Sequence, residues 1–372
     1  MSGPTPELPP LVAMDVAARI GPVRASMATI GLDALWVTHP SNVRWLSGFT
    51  GSNGRLLVTT DELVAVTDNR YREQIADQLG AAGIEARVEV TITEVGRVLQ
   101  GSLDPSARVG IEATHLTVAA DDQLRGWLPG ATVVPTHGLV EHHRQVKDAG
   151  ERSRLARAAA VADLALAEVA PRLGAGPTER QVALALDRAM VDLGADEPSY
   201  DTIVASGPNA ALPHARPTDR VIEPEDLVII DVGARLEGYG SDMTRTFVAG
   251  GHPSATQQRW YAAVIEAQAA GVAAVAAEVE LRAIDTACRR VLADHDLVDA
   301  FIHGTGHGIG LVIHEDPFLS ERSDGILRRG SVVTVEPGVY ITGEGGVRIE
   351  DAVVVTDDGC DVITLSPKTI TP

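Results

Sequence analysis

Cysteine is almost absent from this chain, which contains only Cys288 and Cys360 among its 372 residues. Two thiols cannot form a disulfide framework or a cysteine-rich zinc cluster, and such scarcity is typical of proteins from a reducing compartment. The sequence also has no run of about 20 apolar residues, which a membrane-spanning helix requires. Its opening string, MSGPTPELPPLVAMD, has neither the basic segment nor the apolar stretch of a secretory signal. We therefore expect a cytoplasmic protein that does not contact a membrane.

Positive charge is also scarce. The chain has 31 Lys and Arg against 51 Asp and Glu, a formal net charge of -20. Nucleic acids and anionic membranes bind clustered Lys and Arg, so this balance argues against either partner. Aromatic residues make up only 3% of the chain, while hydrophobic residues make up 45%. Aliphatic side chains must therefore fill the cores of a globular protein.

The length predicts two domains, because domains commonly hold roughly 100 to 200 residues. A Pro-rich opening, residues 1–13, is expected to be a flexible tail. Residues 14–140 alternate β-type runs such as ALWV and RLLVT with helical stretches, which predicts an α/β domain. Residues 141–147 are polar and predict a linker, followed by a second domain over residues 148–372.

Two local patterns in this first half carry further predictions. Gly21 and Pro22 lie inside the first helical stretch, where they are expected to break it or to separate two short helices. His142 and His143 are adjacent in the polar segment. Neighbouring histidines can bind metal, but this pair is interpreted as part of a solvated linker.

The second domain repeats one order of elements, which indicates an internal duplication. Two helical segments precede a β-hairpin, VIIDVGARLEGYGSDMTRTF, and two more precede a second glycine-rich β region that contains TVEPGVY and VRIEDAV. A turn centred on Leu236 and Glu237 would place Asp231 opposite Asp242 in the first hairpin. The two carboxylates would then share one face.

The second hairpin offers a matching pair of acids. A turn centred near Gly343 would place Glu336 opposite Glu350. His307, from the segment between the hairpins, would complete the set. The sequence thus predicts one site formed by five ligand residues: Asp231, Asp242, His307, Glu336 and Glu350.

The composition of this set predicts metal binding. An acidic residue beside glycine is common in hairpins and carries little weight alone. Two of the carboxylates, however, follow the apolar runs LVII and VVTV, where a buried charge is costly unless a cation compensates it. Four carboxylates balance two divalent cations, and oxygen donors with one imidazole favour Mn, Co or catalytic Zn over a structural zinc.

Three histidines lie in the glycine-rich string HGTGHGIGLVIH: His303, His307 and His314. Its glycines would let the backbone approach metals or substrate closely. The string lacks the lysine and the spacing of a phosphate-binding loop, so it does not predict nucleotide binding.

At these strings the chain closely resembles the pita-bread metallopeptidases of family M24, in the branch of aminopeptidase P and prolidase, which cleave Xaa-Pro bonds. The family's ligand order Asp, Asp, His, Glu, Glu matches the five ligand residues. The string GLDALWVTHPSNVRWLSGFTGSNG is similar to the creatinase-type domain that precedes the catalytic domain in this branch. The resemblance implies an α/β N-terminal creatinase-type domain and an α+β C-terminal pita-bread domain.

The resemblance also assigns roles to residues. It implies that Asp242 and Glu350 bridge two divalent metal ions, that Asp231 chelates one, and that His307 and Glu336 hold the other. Mn is the metal expected first, with Co or Zn as alternatives. The family's remaining catalytic and substrate-binding residues also have counterparts here: His214, His303, His314, Tyr340 and Arg348.

The implied mechanism is attack of a metal-bridged hydroxide on the scissile carbonyl. Glu336 would carry a proton to the leaving proline nitrogen, while His303 or His314 would help to hold the oxyanion. Arg348 would either orient Glu350 or bind the substrate carboxylate.

The resemblance further implies a homodimer that acts on small peptides with proline at the second position. The compact chain slightly favours an Xaa-Pro dipeptidase (prolidase) over an Xaa-Pro aminopeptidase (aminopeptidase P). Two alternatives share the fold: a metal-free creatinase-like amidinohydrolase and a non-catalytic scaffold that binds peptides. Both predict a purified protein without metal, and the retention of all five ligand residues argues against both.

Overall fold

A computed structural model describes residues 8–372, and contacts between residues divide this part of the chain into two units. The N-terminal unit is formed by residues 14–144. The catalytic unit, as we call it from its candidate site, is formed by residues 145–372 together with residues 8–13. No helix in the described part of the chain is long and apolar enough to cross a membrane.

The N-terminal unit is built on one six-stranded mixed sheet. Its strands are β1 (Ala34–Val37), β2 (Gly54–Thr59), β3 (Leu63–Thr67), β4 (Arg87–Val90), β5 (Arg108–Glu112) and β6 (Thr132–Thr136). Its helices are α1 (Ile20–Thr29), α2 (Pro40–Ser47), α3 (Arg72–Ala81), α4 (Val95–Ser102), α5 (Val118–Trp127) and α6 (Glu141–Arg144). The strand order is β4-β3-β2-β1-β5-β6. The pairs β3-β4, β1-β5 and β5-β6 are parallel, and β1-β2 and β2-β3 are antiparallel.

The predicted break near Gly21 and Pro22 lies at the start of a helix and not inside one. A short 3₁₀ helix, Ala17–Arg19, directly precedes α1, which begins at Ile20, so the proline lies in the first turn of α1. A proline is tolerated there because the N–H that it lacks has no partner within the helix at that position. The helix therefore runs on to Thr29 without a break.

The polar segment 141–147 is not a solvated linker, because its charged side chains are buried and paired. Arg144 and Lys147 are only 3% and 1% exposed. The Arg144 guanidinium donates to Oδ1 of Asn42 at 2.7 Å, and Nε2 of His143 lies 2.9 Å from the Ser26 hydroxyl. A polar sequence can be buried in this way once each group finds a partner.

The catalytic unit has four long helices and thirteen strands among its described residues. The helices are α7 (Ala149–Val169), α8 (Glu179–Asp192), α9 (Ala255–Ala274) and α10 (Leu281–Asp294). The strands are β7 (Glu197–Pro198), β8 (Ile203–Ser206), β9 (Leu227–Asp231), β10 (Ala234–Leu236), β11 (Tyr239–Gly240), β12 (Thr244–Val248), β13 (Gly306–Gly308), β14 (Glu315–Leu319), β15 (Val332–Val335), β16 (Gly338–Ile341), β17 (Gly345–Arg348), β18 (Asp351–Val355) and β19 (Cys360–Val362).

Each pair of helices covers one sheet, so the predicted duplication is visible in the packing. Helices α7 and α8 share a hydrophobic cluster with the sheet β12-β9-β8, and α9 and α10 share another with the sheet β14-β13-β15-β18-β19. The first three of these helices begin with a capping box, which satisfies backbone N–H groups that a helix end leaves free. The two remaining sheets, β11-β10-β7 and β16-β17, extend the hairpins that carry the acids.

Residues 9–12, part of the predicted flexible tail, are held against helix α7. Arg157 donates to the carbonyl of Pro9 at 2.6 Å, and Arg154 donates to that of Val12 at 2.7 Å. The backbone N–H of Val12 donates to Ser153 at 3.0 Å. Proline-rich backbone cannot join a sheet freely, but its carbonyls still accept hydrogen bonds from arginine. The rest of the predicted tail, residues 1–7, lies outside the described residues.

Candidate metal centre

The first hairpin brings two carboxylates to one face, with a register that differs from the prediction. Asp231 pairs with Thr244 and not with Asp242. Glu237 and Gly238 both have positive φ, 45° and 80°, as the two central residues of a type I′ turn require. The turn is thus centred one residue later than predicted. Because side chains alternate with period two, Asp242 still projects on the same face as Thr244 and Asp231.

The second hairpin has the predicted register. Gly338 pairs with Arg348, which centres the turn on Gly343. Glu336 and Glu350 precede and follow these paired strands by two residues, so they face each other. Strands β15 and β18 continue the same register beyond them.

His307 is fixed by hydrogen bonds on strand β13. Its backbone N–H donates to the Thr334 hydroxyl at 3.0 Å, and its Nδ1 lies 3.1 Å from the carbonyl of Gly308. The carbonyl only accepts, so Nδ1 carries the proton and Nε2 is left as the metal-binding nitrogen. Nε2 lies 3.3 Å from Oε1 of Glu336 and 3.6 Å from Oδ2 of Asp242.

All five ligand residues line one cavity of about 660 Å³. Ligand atoms of Asp242, His307 and Glu350 lie within 4.8 Å of one another, and all three residues are buried. Burial and the neighbouring carboxylates raise the pKa of Asp242 and of Glu350 well above their usual values. Buried carboxylates in such contact repel each other, and divalent cations would remove that cost. The donor set therefore fits divalent metal ions.

Glu336 has a lowered pKa, unlike Asp242 and Glu350. Burial acts to raise its pKa, but the hydrogen bond and charge of His307, with the charges of His303 and Arg348, outweigh burial and lower the pKa to about 2. The same contact works in the other direction on His307: burial acts to lower its pKa, and Glu336 raises it. A carboxylate at Glu336 is thus available as a ligand at neutral pH.

Two residues that the sequence did not identify support these ligands. The Tyr200 hydroxyl oxygen lies 2.5 Å from Oδ1 of Asp231 and 2.6 Å from Oδ1 of Asp242, so its single proton lies between the two carboxylates. The Thr244 hydroxyl donates to Oε2 of Glu350 at 2.7 Å. The correct hairpin register would have identified Thr244, because it faces Asp231. No spacing in the sequence points to Tyr200.

Arg348 and Tyr340 lie together beside the ligands. The Arg348 guanidinium donates to Oδ2 of Asp231 at 2.7 Å, to the Tyr340 hydroxyl at 2.9 Å and to the Thr244 hydroxyl at 3.0 Å. Arg348 lines the cavity, whereas Tyr340 lies behind it and is buried. Of the two roles predicted for Arg348, this geometry favours orientation of a metal ligand, although the ligand it contacts is Asp231 and not Glu350.

The three predicted site histidines other than His307 also line the cavity. His303 is engaged on both sides: Nδ1 lies 2.8 Å from the Gly304 carbonyl and Nε2 lies 2.9 Å from the Tyr340 hydroxyl. His214 and His314 are exposed, and the ring of His314 lies 4.3 Å from that of His307. Burial lowers the pKa of both His303 and His314, so both are neutral at pH 7.

Comparison with known proteins adds the following similarities. Two family models match: metallopeptidase family M24 over residues 153–357, and the creatinase/prolidase N-terminal domain over residues 19–146. The Xaa-Pro dipeptidase of Pyrococcus furiosus is 32% identical over 338 residues, which cover 91% of this chain and 94% of that protein. An Xaa-Pro dipeptidase structure from Bacillus anthracis matches with a TM-score of 0.90 at 37% identity, over 96% of this chain and 99% of that one. An X-Pro aminopeptidase structure from Thermotoga maritima matches with a TM-score of 0.85 at 31% identity, over 93% and 99%.

Proposed function

Because this chain belongs to metallopeptidase family M24 and carries a creatinase/prolidase N-terminal domain, we propose that it is an Xaa-Pro dipeptidase that depends on divalent metal ions. The observation that supports this most is the convergence of all five ligand residues on one cavity. The relatives above are named as Xaa-Pro dipeptidases and an X-Pro aminopeptidase. Neither the amidinohydrolase nor the scaffold needs such a cluster, so these alternatives are not favoured.

We propose that the metals are two Mn ions, for which the oxygen-rich donor set is suited. Five residues would hold the ions: Asp231, Asp242, His307, Glu336 and Glu350. When bound, the ions supply Lewis acid chemistry and lower the pKa of water toward neutrality.

Proton transfer and binding of the substrate carbonyl oxygen would be carried out by side chains of the protein. Glu336, held ionised beside His307, is placed to accept a proton and to pass it to the leaving nitrogen. His303 has both ring nitrogens engaged, whereas His314 has no hydrogen bond to any residue of the described range. His314 is therefore the histidine free to donate to the substrate carbonyl oxygen, and His303 positions Tyr340 and, through it, Arg348.

The substrates that we propose are small peptides with proline at the second position, and the assembly that we propose is a homodimer. Proline has no N–H and its tertiary amide restricts the chain, so a peptide bond before proline needs a dedicated site. Sedimentation equilibrium of the purified chain measures the assembly directly. A cytoplasmic location stays a prediction from the scarce cysteines.

The decisive experiment is hydrolysis of Ala-Pro and Ala-Pro-Ala by metal-stripped protein to which Mn, Co or Zn is returned. We expect Ala-Pro to be cleaved, with Mn restoring the most activity. Asp242→Asn should lower both metal content and cleavage, while Asp192→Asn, which changes an exposed acid paired with Arg188, should alter neither. Cleavage of the tripeptide alone would indicate an aminopeptidase. No cleavage with any of the metals would bring back the amidinohydrolase or scaffold.

A further inference from the structure

One wall of the cavity is a single run of chain. Residues 213–217, between strands β8 and β9, all line the cavity, and we call them the 213–217 wall. The wall contains His214 and Arg216, whose side chains are both exposed. It is the only stretch of five consecutive lining residues in the described part of the chain. What this wall presents to the cavity therefore bears on what the cavity binds.

The chain before and after the wall is held by one buried carboxylate, Glu179, which has 0% exposure. On one side Glu179 accepts hydrogen bonds from the backbone N–H and hydroxyl of Ser206, both at 2.7 Å. On the other side it accepts from the backbone N–H and hydroxyl of Thr218, at 2.9 and 2.6 Å. At the first residue of the wall, the carbonyl of Pro213 accepts from Arg348 at 3.2 Å. The backbone of the wall is thus anchored at Pro213 and directly after its last residue, at Thr218.

Two arginines line the cavity, and they differ in what they can bind. Arg348 is 3% exposed and its guanidinium already donates to Asp231, Tyr340 and Thr244. It cannot turn toward a substrate without releasing a metal ligand. Arg216 is exposed and, across residues 8–372, makes no ion pair or hydrogen bond with another side chain or carbonyl. Arg216 is thus the cation of this cavity that is open to a ligand.

Apart from Arg216 and Arg348, the charged side chains that line the cavity are acidic. Four ligand carboxylates line the cavity, and Asp201 adds a fifth acidic side chain. Two divalent metals can neutralise the four ligand carboxylates. None of these five acidic side chains, however, attracts the carboxylate of a peptide that is held away from the metals. A guanidinium binds a carboxylate through two parallel hydrogen bonds, which fixes its orientation as well as its charge.

We propose that Arg216 binds the free α-carboxylate of the peptide and that this contact selects dipeptides. This inference rests on the proposed Xaa-Pro dipeptidase function and deepens it. In a dipeptide the carboxylate belongs to the proline whose nitrogen is released. In a tripeptide the carbonyl carbon of that proline is part of a peptide bond, and the free carboxylate lies one residue, about 3.5 Å, farther along the chain. A rigid wall cannot follow that displacement, so longer peptides lose the contact.

The test compares two substrates that differ only at this group, Ala-Pro and Ala-Pro amide. Arg216→Gln should raise KM for Ala-Pro by roughly 10- to 100-fold, the range for a lost charged hydrogen bond, with kcat changed by less than about threefold. The same variant should cleave Ala-Pro amide as the wild type does, and Arg216→Lys should lie between the two. Arg259→Gln, which removes an exposed arginine outside the cavity, is the matched control and should leave both substrates unaffected.

A second readout does not depend on turnover. Calorimetric titration of free proline, a product that keeps the carboxylate, should show weaker binding to Arg216→Gln than to the wild type. Prolinamide should bind both proteins alike. If Arg216→Gln lost equal affinity for proline and prolinamide, or equal activity on both peptide substrates, Arg216 would support the structure of the wall and would not bind the carboxylate.

The outcomes separate the inference from the proposed function. Wild-type cleavage of Ala-Pro that Arg216→Gln leaves unchanged overturns the role of Arg216 and leaves the dipeptidase standing. Wild-type protein that cleaves neither substrate with any metal overturns the dipeptidase, and the role of Arg216 falls with it.

Discussion

A single hydroxyl group, that of Tyr200, holds two metal-ligand carboxylates at once. It contacts one oxygen of Asp231 and one oxygen of Asp242. Burial and the nearby carboxylates raise the pKa of Tyr200 well above its usual value, so the phenol keeps its proton at neutral pH. A protonated hydroxyl between two acceptors fixes both carboxylates and leaves their other oxygens free for a cation or for Arg348.

Replacing Tyr200 by Phe should therefore weaken metal binding while the chain stays folded. We expect a loss of roughly 10- to 100-fold in metal affinity, the usual effect of removing a hydrogen-bond partner of a ligand. Isothermal titration of metal-stripped protein with Mn measures it. Tyr261→Phe is the matched control, since the Tyr261 hydroxyl is buried without a hydrogen-bond partner among the described residues. Unchanged affinity in Tyr200→Phe would mean that the two carboxylates position themselves without the phenol.

The five ligand residues could be predicted from the sequence because burying an uncompensated carboxylate costs free energy. An acid at the end of an apolar strand, such as Asp231 after LVII, needs a compensating cation, and this argument requires no knowledge of the fold. Tyr200 follows β7 in a segment without regular structure, so no helix or strand periodicity in the sequence relates its position to that of Asp242. Their contact is made by tertiary packing, which the sequence pattern does not display.

The segment from β8 to β9 depends on the first residue of helix α8. Burial acts to raise the pKa of Glu179, but hydrogen bonds from Thr218, Ser206 and Asn209 outweigh burial and lower it below its usual value. A carboxylate whose pKa is lower in the folded than in the unfolded chain stabilises the fold above the unfolded pKa. That stabilisation is lost as the pH falls from about 4.3 toward the folded pKa.

Glu179→Gln should consequently destabilise the catalytic unit at pH 7 by about 1 to 3 kcal/mol, because an amide cannot accept all of these hydrogen bonds. The difference from the wild type should shrink as the pH is lowered below about 4. Urea denaturation at both pH values measures it. Glu168→Gln, at an exposed acid paired with Arg172, should change stability at neither pH. A cost for Glu179→Gln that does not vary with pH would assign the effect to shape and not to charge.

At the scale of elements, regular structure was predictable where one pattern dominated. The strand pairing of the second hairpin was predicted correctly, because Gly343 marks its turn. In the first hairpin the prediction assumed that the two aspartates pair, but the turn forms at Glu237 and Gly238, one residue later than predicted. Polar composition misled the prediction for residues 141–147, since Arg144 and Lys147 are buried against partners distant in sequence.

At the scale of the molecule, the fold class and family were predicted correctly because the motifs span both domains. How the two halves of the catalytic unit are joined was not predicted. Arg245 on β12 and Asp351 on β18 form an ion pair at 2.9 Å, and the two side chains are 1% and 0% exposed. Arg245 also donates to the carbonyls of Glu350 and Ser366. One buried cation thus joins the strand beside Asp242 to the strand that follows Glu350.

Removing that cation should cost much more than removing an exposed one. Asp351 keeps its ion pair with Lys368 and its hydrogen bonds from Gln268 and Thr364. Arg245→Met removes the other cation beside this buried carboxylate and leaves two buried carbonyls without their arginine donor, so we expect a loss of about 2 to 4 kcal/mol in the free energy of unfolding. Arg188→Met breaks an exposed pair with Asp192 and should cost less than about 1 kcal/mol. Urea denaturation of both variants, with tyrosine and tryptophan fluorescence as the signal, compares them. Because Arg245 joins the halves that supply the two pairs of carboxylates, its loss should also weaken Mn binding. If Arg245→Met costs no more than Arg188→Met, the halves are held by their hydrophobic contacts and not by the buried ion pair.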